Sequence, residues 1–190
     1  MEGGSALANV LYGEVNPSGK LPFAVPRDAA DYPYFTPYTD NITYGYYHGY
    51  TLFDKQGTAV AYPFGFGLSY TRYHYENLRV LTPVLGEDDT LRVEVDVTNT
   101  GTLAGEEIVQ MYVGFANSRV ERPVKLLRGF DKVELQAGET TTVGFDLPVT
   151  ELAWYNDKVR EWQIESMSYE LHVGGSSADE DLLKGAFSIR

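Results

Sequence analysis

Three clusters of acidic residues are the part of this sequence whose side chains could do catalytic chemistry. Paired carboxylates can divide acid and base roles between them when the environment raises the pKa of one of them. Each cluster lies in or beside a segment with turn signals, where water solvates the charges and leaves the pKa values unshifted. We therefore predict solvated carboxylates and no catalytic residue in this chain. The clusters are Glu87-Asp88-Asp89, Glu106-Glu107 and Asp179-Glu180-Asp181.

Residues that bind metals or cofactors are scarce. The chain of 190 residues has no cysteine, which excludes a disulfide framework and a thiolate metal site. It has only three histidines. One of them, His172, alternates with the apolar Leu171 and Val173, so we expect it to face solvent. We predict neither a metal nor an organic cofactor.

Aromatic residues are concentrated in one irregular segment. Residues 32–75 hold fifteen of the twenty-six aromatic residues, interrupted by prolines and glycines. Because large rings stabilise a structure only where they pack, we expect an ordered connector over residues 31–73. Most of its rings should contact neighbouring domains, namely Tyr46, Tyr50, Phe53, Phe64, Phe66 and Tyr70. The alternative is a platform on which sugars stack, with Tyr44, Tyr47 and His48 as candidates.

The rest of the chain, residues 74–190, has the pattern of short strands separated by turns. Residues 91–97 alternate apolar with polar side chains, as a half-buried strand does, whereas residues 108–113 are apolar on both faces and indicate a central strand. Further strand patterns lie at 123–135, 141–147, 154–155, 161–164, 169–173 and 186–189. This series predicts a mainly β fold, a β-sandwich of immunoglobulin type. We expect Tyr112, Phe130 and Phe145 in or near its core.

The first thirty residues predict a short α/β segment. Leu7 and Leu11 have the spacing of a buried helix face, and Gly13 stands where a helix C-terminus prefers glycine. Residues 16–19, Asn-Pro-Ser-Gly, have the composition of a type I turn. Residues 21–25 then alternate as a strand does, and the prolines around them favour a sheet edge.

Five phrases of the sequence closely resemble glycoside hydrolase family 3, the β-glucosidases and their relatives. They are NVLYGEVNPSGKLPFAVP (9–26), YPFGFGLSYTRYHYENL (62–78), VDVTNTGTLAGEEIVQMYV (95–113), RPVKLLRGFDKVELQAGET (122–140) and YELHVGGSS (169–177). They follow one another in family order and cover nearly the whole chain. The resemblance implies a remnant of the α/β sandwich domain at residues 1–30, the connector at 31–73, and a fibronectin type III-like β-sandwich at 74–190.

The resemblance also implies a function for the whole protein, the retaining, exo-acting hydrolysis of terminal β-linked sugars. In that family the nucleophilic Asp lies in an N-terminal barrel domain, and the acid/base residue usually lies in the second domain, upstream of its last helix. Neither segment is present in this sequence. We therefore expect the C-terminal scaffold of a longer enzyme, inactive alone, with the barrel and α/β sandwich domains as partners in the same chain or a separate one. The alternative is a free-standing Ig-like module that binds carbohydrate or protein.

Composition restricts the remaining partners. The net charge of −12 opposes nucleic acid and anionic membranes as ligands. An uncharged sugar or glycoside is indifferent to that charge. No apolar run approaches the roughly 20 residues of a membrane-spanning helix. The composition permits any compartment; we expect the periplasm or the cell exterior rather than the cytoplasm.

Overall fold

The computed structural model describes residues 2–34, 36 and 38–190. The part before the sandwich contains helix α1 (Gly3–Leu11), strand β1 (Val25–Pro26), helix α2 (Tyr50–Gln56) and strand β2 (Val60–Tyr62). The sandwich strands are β3 (Tyr73–Val80), β4 (Val84–Leu85), β5 (Thr90–Asn99), β6 (Gly105–Gly114), β7 (Lys125–Leu135), β8 (Thr140–Pro148), β9 (Trp154–Asn156), β10 (Glu161–Gln163), β11 (Ser168–Gly174) and β12 (Leu182–Ile189). Single turns of 3-10 helix lie at Ala29–Asp31, Val149–Leu152 and Asp179–Asp181.

The predicted β-sandwich is confirmed. A five-stranded sheet of order β4-β12-β11-β6-β7 faces a three-stranded sheet of order β3-β5-β8. Apolar side chains from both sheets form one core, among them Val95, Met111, Phe145 and Leu171. Their burial is the main favourable contribution to the fold. Strand β9 pairs with β10 in a separate hairpin, as the sequence predicted for residues 154–164.

Strand β6 is central, as its two-sided apolar pattern predicts, and lies between β7 and β11. Its neighbour β7 is the edge strand, and there one core prediction is wrong. Phe130 is 68% exposed, because it pairs with Gln110, on the face of the sheet that points away from the core. Gly129, one residue earlier, lies on the core side, where the ring of Phe145 fills the space that a side chain would occupy.

The first thirty residues only partly match their predicted pattern. Gly13 follows α1 with φ of +77°, which suits glycine. No residue of α1 is buried, and Leu7 and Leu11 of its predicted buried face are exposed; the Tyr70 hydroxyl contacts the helix, where it donates to the Val10 carbonyl at 2.7 Å. Residues 16–19 form no turn, and the side chain of Asn16 donates to the Ala104 carbonyl of the sandwich at 2.9 Å. Only Val25–Pro26 forms a strand, at the edge of a two-stranded sheet with β2.

The connector contains a regular element that its irregular sequence does not indicate. Helix α2 begins after Gly49, which has φ of +54°, and ends at Gly57, which has φ of +65°. Phe53 is buried on one side of this helix, and Tyr50 contacts the five-stranded sheet from its first turn. The two glycines therefore bracket a seven-residue helix that rests on the sandwich.

Candidate functional site: the interface between connector and sandwich

The connector covers the outer face of the five-stranded sheet, defined here as the face carrying Gln110, Tyr112 and His172. Tyr112 of β6 and His172 of β11 are direct cross-strand partners. The ring of Tyr50 in α2 lies edge-on to Tyr112, with centroids 6.3 Å apart, and packs on Phe64 at 4.7 Å. The Tyr50 hydroxyl also accepts the Leu127 amide N–H at 3.1 Å. The sheet is thus packed on both faces.

Hydrogen bonds reinforce this aromatic contact. The Tyr112 hydroxyl donates to Gln110 Oε1 at 2.6 Å, and Gln110 Nε2 donates to the Gly65 carbonyl at 3.2 Å and to the Gly175 carbonyl at 2.6 Å. Burial raises the pKa of Tyr112 and keeps its hydroxyl a neutral donor. Because an unpaired buried amide is costly, Gln110 ties the position of the connector backbone at Gly65 to the sheet.

The prediction that His172 faces solvent is wrong. It is only 6% exposed, because the outer face to which it points carries the connector. Desolvation is the main reason that the pKa of His172 is lowered, although Glu170, with Oε2 3.4 Å from Nε2, acts in the opposite direction. The ring is therefore held mainly neutral near pH 7, which argues for a packing role.

A buried ion pair joins α2 to the edge strand β7. Lys125 Nζ lies 3.0 Å from Asp54 Oδ2 and 3.4 Å from Asp179 Oδ1. Burial raises the pKa of Asp54, and the charge of Lys125 partly offsets that rise. A cleft of about 650 Å³ opens beside the pair, between the connector and the sandwich. No local sequence pattern indicates this pair, because its members lie 71 positions apart.

A second ion pair joins the segment after α1 to the sandwich, and it corrects a prediction for Glu107. This carboxylate is buried in β6 rather than solvated in a turn. Its Oε1 accepts from Lys20 Nζ at 3.0 Å and from the Tyr75 hydroxyl at 2.7 Å. Burial, and then the Glu107 charge, raise the pKa of Tyr75. The contact orients residues 18–20 on the sheet.

The other acidic residues have structural contacts that suit a surface role. Glu87, Asp88 and Asp89 are exposed, as predicted. Lys132 lies against Glu106 and holds the pKa of that carboxyl below its usual value. The third cluster is exposed in a 3-10 turn, where Asp181 accepts the Ser176 hydroxyl at 2.6 Å. Across residues 2–34, 36 and 38–190, no three His, Asp or Glu side chains converge as metal ligands would.

The candidate sugar platform does not come together as a shared aromatic surface. Tyr44 and His48 are exposed. Tyr47 is instead engaged with the protein, since its hydroxyl donates to the Arg122 carbonyl at 3.1 Å and Lys55 Nζ lies 3.7 Å from its ring centre. Sugar contact by these three residues stays a prediction.

The residues predicted to contact other domains divide into two groups. Tyr50, Phe53 and Phe64 pack within this chain, as do Tyr62 and Phe66, whose centroids are 5.0 Å apart. Tyr46 and Tyr70 are exposed, although the Tyr70 hydroxyl donates to the Val10 carbonyl at 2.7 Å. Their exposed ring surfaces remain available to a partner.

Two family models match this chain. The glycosyl hydrolase family 3 C-terminal domain matches residues 1–70, and the fibronectin type III-like domain matches residues 107–177. The connector–sandwich interface therefore lies where these two kinds of domain adjoin. The chain is a C-terminal portion of a family 3 β-glucosidase-like protein and belongs to glycoside hydrolase family 3.

Relatives and solved structures agree with this assignment. Thermostable β-glucosidase B of Acetivibrio thermocellus is 41% identical, over 93% of this chain and 24% of the relative. Probable β-glucosidase D of Aspergillus oryzae is 38% identical, over 94% of this chain and 26% of its own length. The chain thus spans about a quarter of the length of these relatives.

The fold match is similarly complete for this chain. The β-D-glucoside glucohydrolase of Trichoderma reesei superposes with a TM-score of 0.88 at 31% identity, covering 100% of this chain and 29% of that one. β-Glucosidase 3B of Thermotoga neapolitana, solved with glucose, gives 0.86 at 39% identity, covering 98% and 26%. Neither described helix is long and apolar enough to cross a bilayer.

Proposed function

We propose that this chain is the C-terminal scaffold of a retaining, exo-acting β-glycosidase that hydrolyses terminal β-linked sugars. The catalytic carboxylates of that enzyme would lie in upstream barrel and α/β sandwich domains, supplied in the same chain or as a separate one. The observation that carries the proposal is the unpartnered apolar surface on α1 and the connector, on a chain that matches the C-terminal quarter of β-glucosidases.

Exposed large apolar side chains are concentrated in the part of the chain before the sandwich. Isolated exposed apolar residues are ordinary, but a concentration of them marks an interaction site. Its exposed members are Leu7, Leu11, Tyr12, Phe23, Tyr34, Tyr38, Tyr44 and Tyr46. All lie before the sandwich, in the segment that includes the end of the family 3 C-terminal domain.

The rigidity of the connector is the second support. Three contacts hold the residues before the sandwich in one position on the sheet. They are the Lys125–Asp54 pair, the Lys20–Glu107 pair and the Tyr50–Tyr112 ring contact. A scaffold transmits position only when its own parts are fixed. We infer that the sandwich orients α1 and the connector for the domains that bear the catalytic groups.

Complementation tests this function. The A. thermocellus relative, truncated to lack the quarter that matches this chain, is mixed with this chain, and aryl β-glucoside hydrolysis is measured. We expect each part to be inactive alone and the mixture to be active. Tyr46→Ala and Leu11→Ala should reduce the recovered activity. Leu81→Ala is the control and should leave it unchanged, because Leu81 is 50% exposed directly after β3 of the three-stranded sheet, whereas the connector helix packs on the five-stranded sheet.

A positive control makes a negative result informative. The relative's own C-terminal quarter is added to the same truncated protein. Circular dichroism shows whether this chain is folded. If the relative's own quarter restores activity and the folded chain does not, the scaffold proposal is wrong. Binding of the two parts without hydrolysis would favour the free-standing protein-binding module instead.

The location that we propose is the periplasm or the cell exterior. Polymers that carry terminal β-linked sugars do not cross membranes, so their hydrolysis suits a non-cytoplasmic site. Fractionation of the source cells with an antibody to the sandwich tests this, and recovery in the cytoplasmic fraction alone would contradict it.

A further inference from the structure

The hairpin of β9 and β10 carries two large aromatic rings that the described chain leaves uncovered. Trp162 is 71% exposed and Tyr155 is 49% exposed. They are direct cross-strand partners, so they lie on the same face of the hairpin. Their centroids are 5.5 Å apart with an interplanar angle of 64°, an edge-to-face arrangement. In such a pair the edge of one ring contacts only one face of the other, so the remaining ring surface stays open to solvent, as the exposure of both side chains shows.

The hairpin holds these rings in a defined position. The Arg160 amide donates to the Asn156 carbonyl at 2.7 Å and closes the turn. Asn156 Nδ2 donates to Gln163 Oε1 at 2.8 Å, across the same pair of strands. Little conformational freedom is therefore lost when something stacks on the rings, and such preorganisation favours binding.

A cleft of about 650 Å³ adjoins Trp162 and combines aromatic with hydrogen-bonding walls. That volume lies within the roughly 300–1,000 Å³ usual for small-ligand sites. Its lining includes Trp154, Trp162, Gln163, Thr150, Arg119 and Glu87. Hydrogen-bonding side chains therefore lie beside the indole of Trp162 in this cleft, among them Thr150, Arg119 and Glu87.

This combination selects the chemistry of the ligand. A hexose ring has an apolar C–H face that can stack on indole and a rim of hydroxyl groups that can pair with amide, hydroxyl and charged side chains. One acid and one base line the cleft, so its own charge is balanced. Nucleobases also stack on aromatic rings, but the net charge of −12 repels their phosphates.

We propose that the Tyr155–Trp162 pair and the adjoining cleft form a binding site for uncharged hexose oligosaccharides. Trp162 supplies the main stacking surface, Tyr155 packs against it, and polar groups that line the cleft beside Trp162, Thr150 and Arg119 among them, bond to the sugar hydroxyls. The site would hold a chain of sugars without cutting it. It goes beyond the scaffold function and does not depend on it, because binding here needs only this chain.

Tryptophan fluorescence tests the site directly, because Trp154 and Trp162 are the only tryptophans in the sequence and both line the cleft. The full chain is titrated with cellohexaose, with mannohexaose and with the charged oligogalacturonate. We expect a saturable change in emission with at least one neutral sugar and a weaker response to the charged one. Trp162→Ala should weaken binding by about tenfold or more, with Trp154 retained as the reporter.

Phe130→Ala is the matched control, since Phe130 is exposed to nearly the same degree but lies on β7, away from the hairpin. We expect it to bind as the parent does. No saturable response to either neutral sugar, equal binding by Trp162→Ala and the parent, or preference for the charged sugar would overturn the proposal. A further outcome would also overturn it: in a complex with the upstream domains, Trp162 becomes buried and added sugar does not expose it again. That result would make the hairpin an interface with protein.

Discussion

Lys125 Nζ lies 3.0 Å from Asp54 Oδ2, and this buried pair is the electrostatic contact between the connector helix and the edge of the sandwich. A buried charge that loses its partner is strongly destabilising, although replacing both charges together can be nearly neutral. The pair therefore couples the position of α2 to that of β7. It also supplies a clear experiment on whether connector and sandwich unfold as one unit.

Lys125→Met should destabilise the chain by about 2–3 kcal/mol. The expectation is below the 3–5 kcal/mol for a fully buried pair because the Asp54 side chain is 20% exposed and solvent screens part of the charge. Urea unfolding at pH 7 measures it. Lys132→Met on the same strand, whose half-exposed side chain pairs with Glu106, should cost less than about 1 kcal/mol. Equal costs for the two variants would mean that burial does not govern the pair.

The same variant has a pH signature whose sign follows from Asp54. Burial already raises its pKa, and removal of Lys125 takes away the charge that opposes the rise. A raised pKa in the folded state means that the folded chain binds more protons than the unfolded one, so stability falls as pH rises through that range. The deficit of Lys125→Met should therefore shrink as pH is lowered from about 7 to about 5. Adding Asp54→Asn should remove this dependence.

The aromatic contact of the connector can be tested separately. Tyr50→Ala uncovers Tyr112 and removes the acceptor for the Leu127 amide, and we expect a loss of about 2–4 kcal/mol. The connector should also become sensitive to protease before the sandwich unfolds. Tyr44→Ala, an exposed ring in the same segment, should change neither measurement. Unaltered digestion of Tyr50→Ala would show that the connector is held without this ring.

The strands could be predicted from the sequence because alternation and turn residues are local signals. They located β5, β6 and β8 closely, and they located the β9–β10 hairpin. The side chains that they misplaced, His172 and Glu107, share one cause. Alternation predicts which residues share a face of a strand. Whether the face opposite the core is exposed to solvent depends on segments that are distant in sequence. Here residues 18–20 and α2 cover it.

The interface between connector and sandwich could not be predicted from the sequence for the same reason. Nothing near Lys125 indicates that Asp54 will be its partner, and the glycines around α2 suggest irregular chain until their positive φ angles are known. Phe130 was misplaced because a register shift between Met111 and Tyr112 displaces the β7 pattern. Long-range pairing and register are tertiary properties, and periodicity does not encode them.

Alanine substitutions at the two phenylalanines that the sequence placed in or near the core should differ sharply in their effect on the free energy of unfolding. Phe145 is buried beside Gly129, and Phe145→Ala should cost about 3–5 kcal/mol. Phe130→Ala should lie within about 0.5 kcal/mol of the parent, as surface substitutions do. Urea midpoints of the two variants, measured together, check the register of β7. A midpoint for Phe130→Ala as low as that for Phe145→Ala would contradict it.

Acid stability should depend on Asp96, which joins the three strands of the smaller sheet. Arg79 donates to both of its oxygens, at 2.8 and 2.9 Å, and Thr142 donates at 2.7 Å. These hydrogen bonds, those from Arg79 first, hold the pKa of Asp96 well below its usual value of 3.8. A carboxyl with a lowered folded-state pKa stabilises the protein fully above its unfolded value. That stabilisation is lost as pH falls from there through the folded-state pKa.

Asp96→Asn should therefore be less stable than the parent at neutral pH, and the gap should close as pH falls below about 4. Urea unfolding at a series of pH values from about 7 to about 2 measures the gap. Asp146→Asn is the control, because Asp146 is mostly exposed and lies 3.8 Å from Arg92; its curve should run with the parent's at every pH. A gap for Asp96→Asn that stayed constant into acid would mean that the variant acts through lost packing, and the charge-based account of this sheet would be wrong.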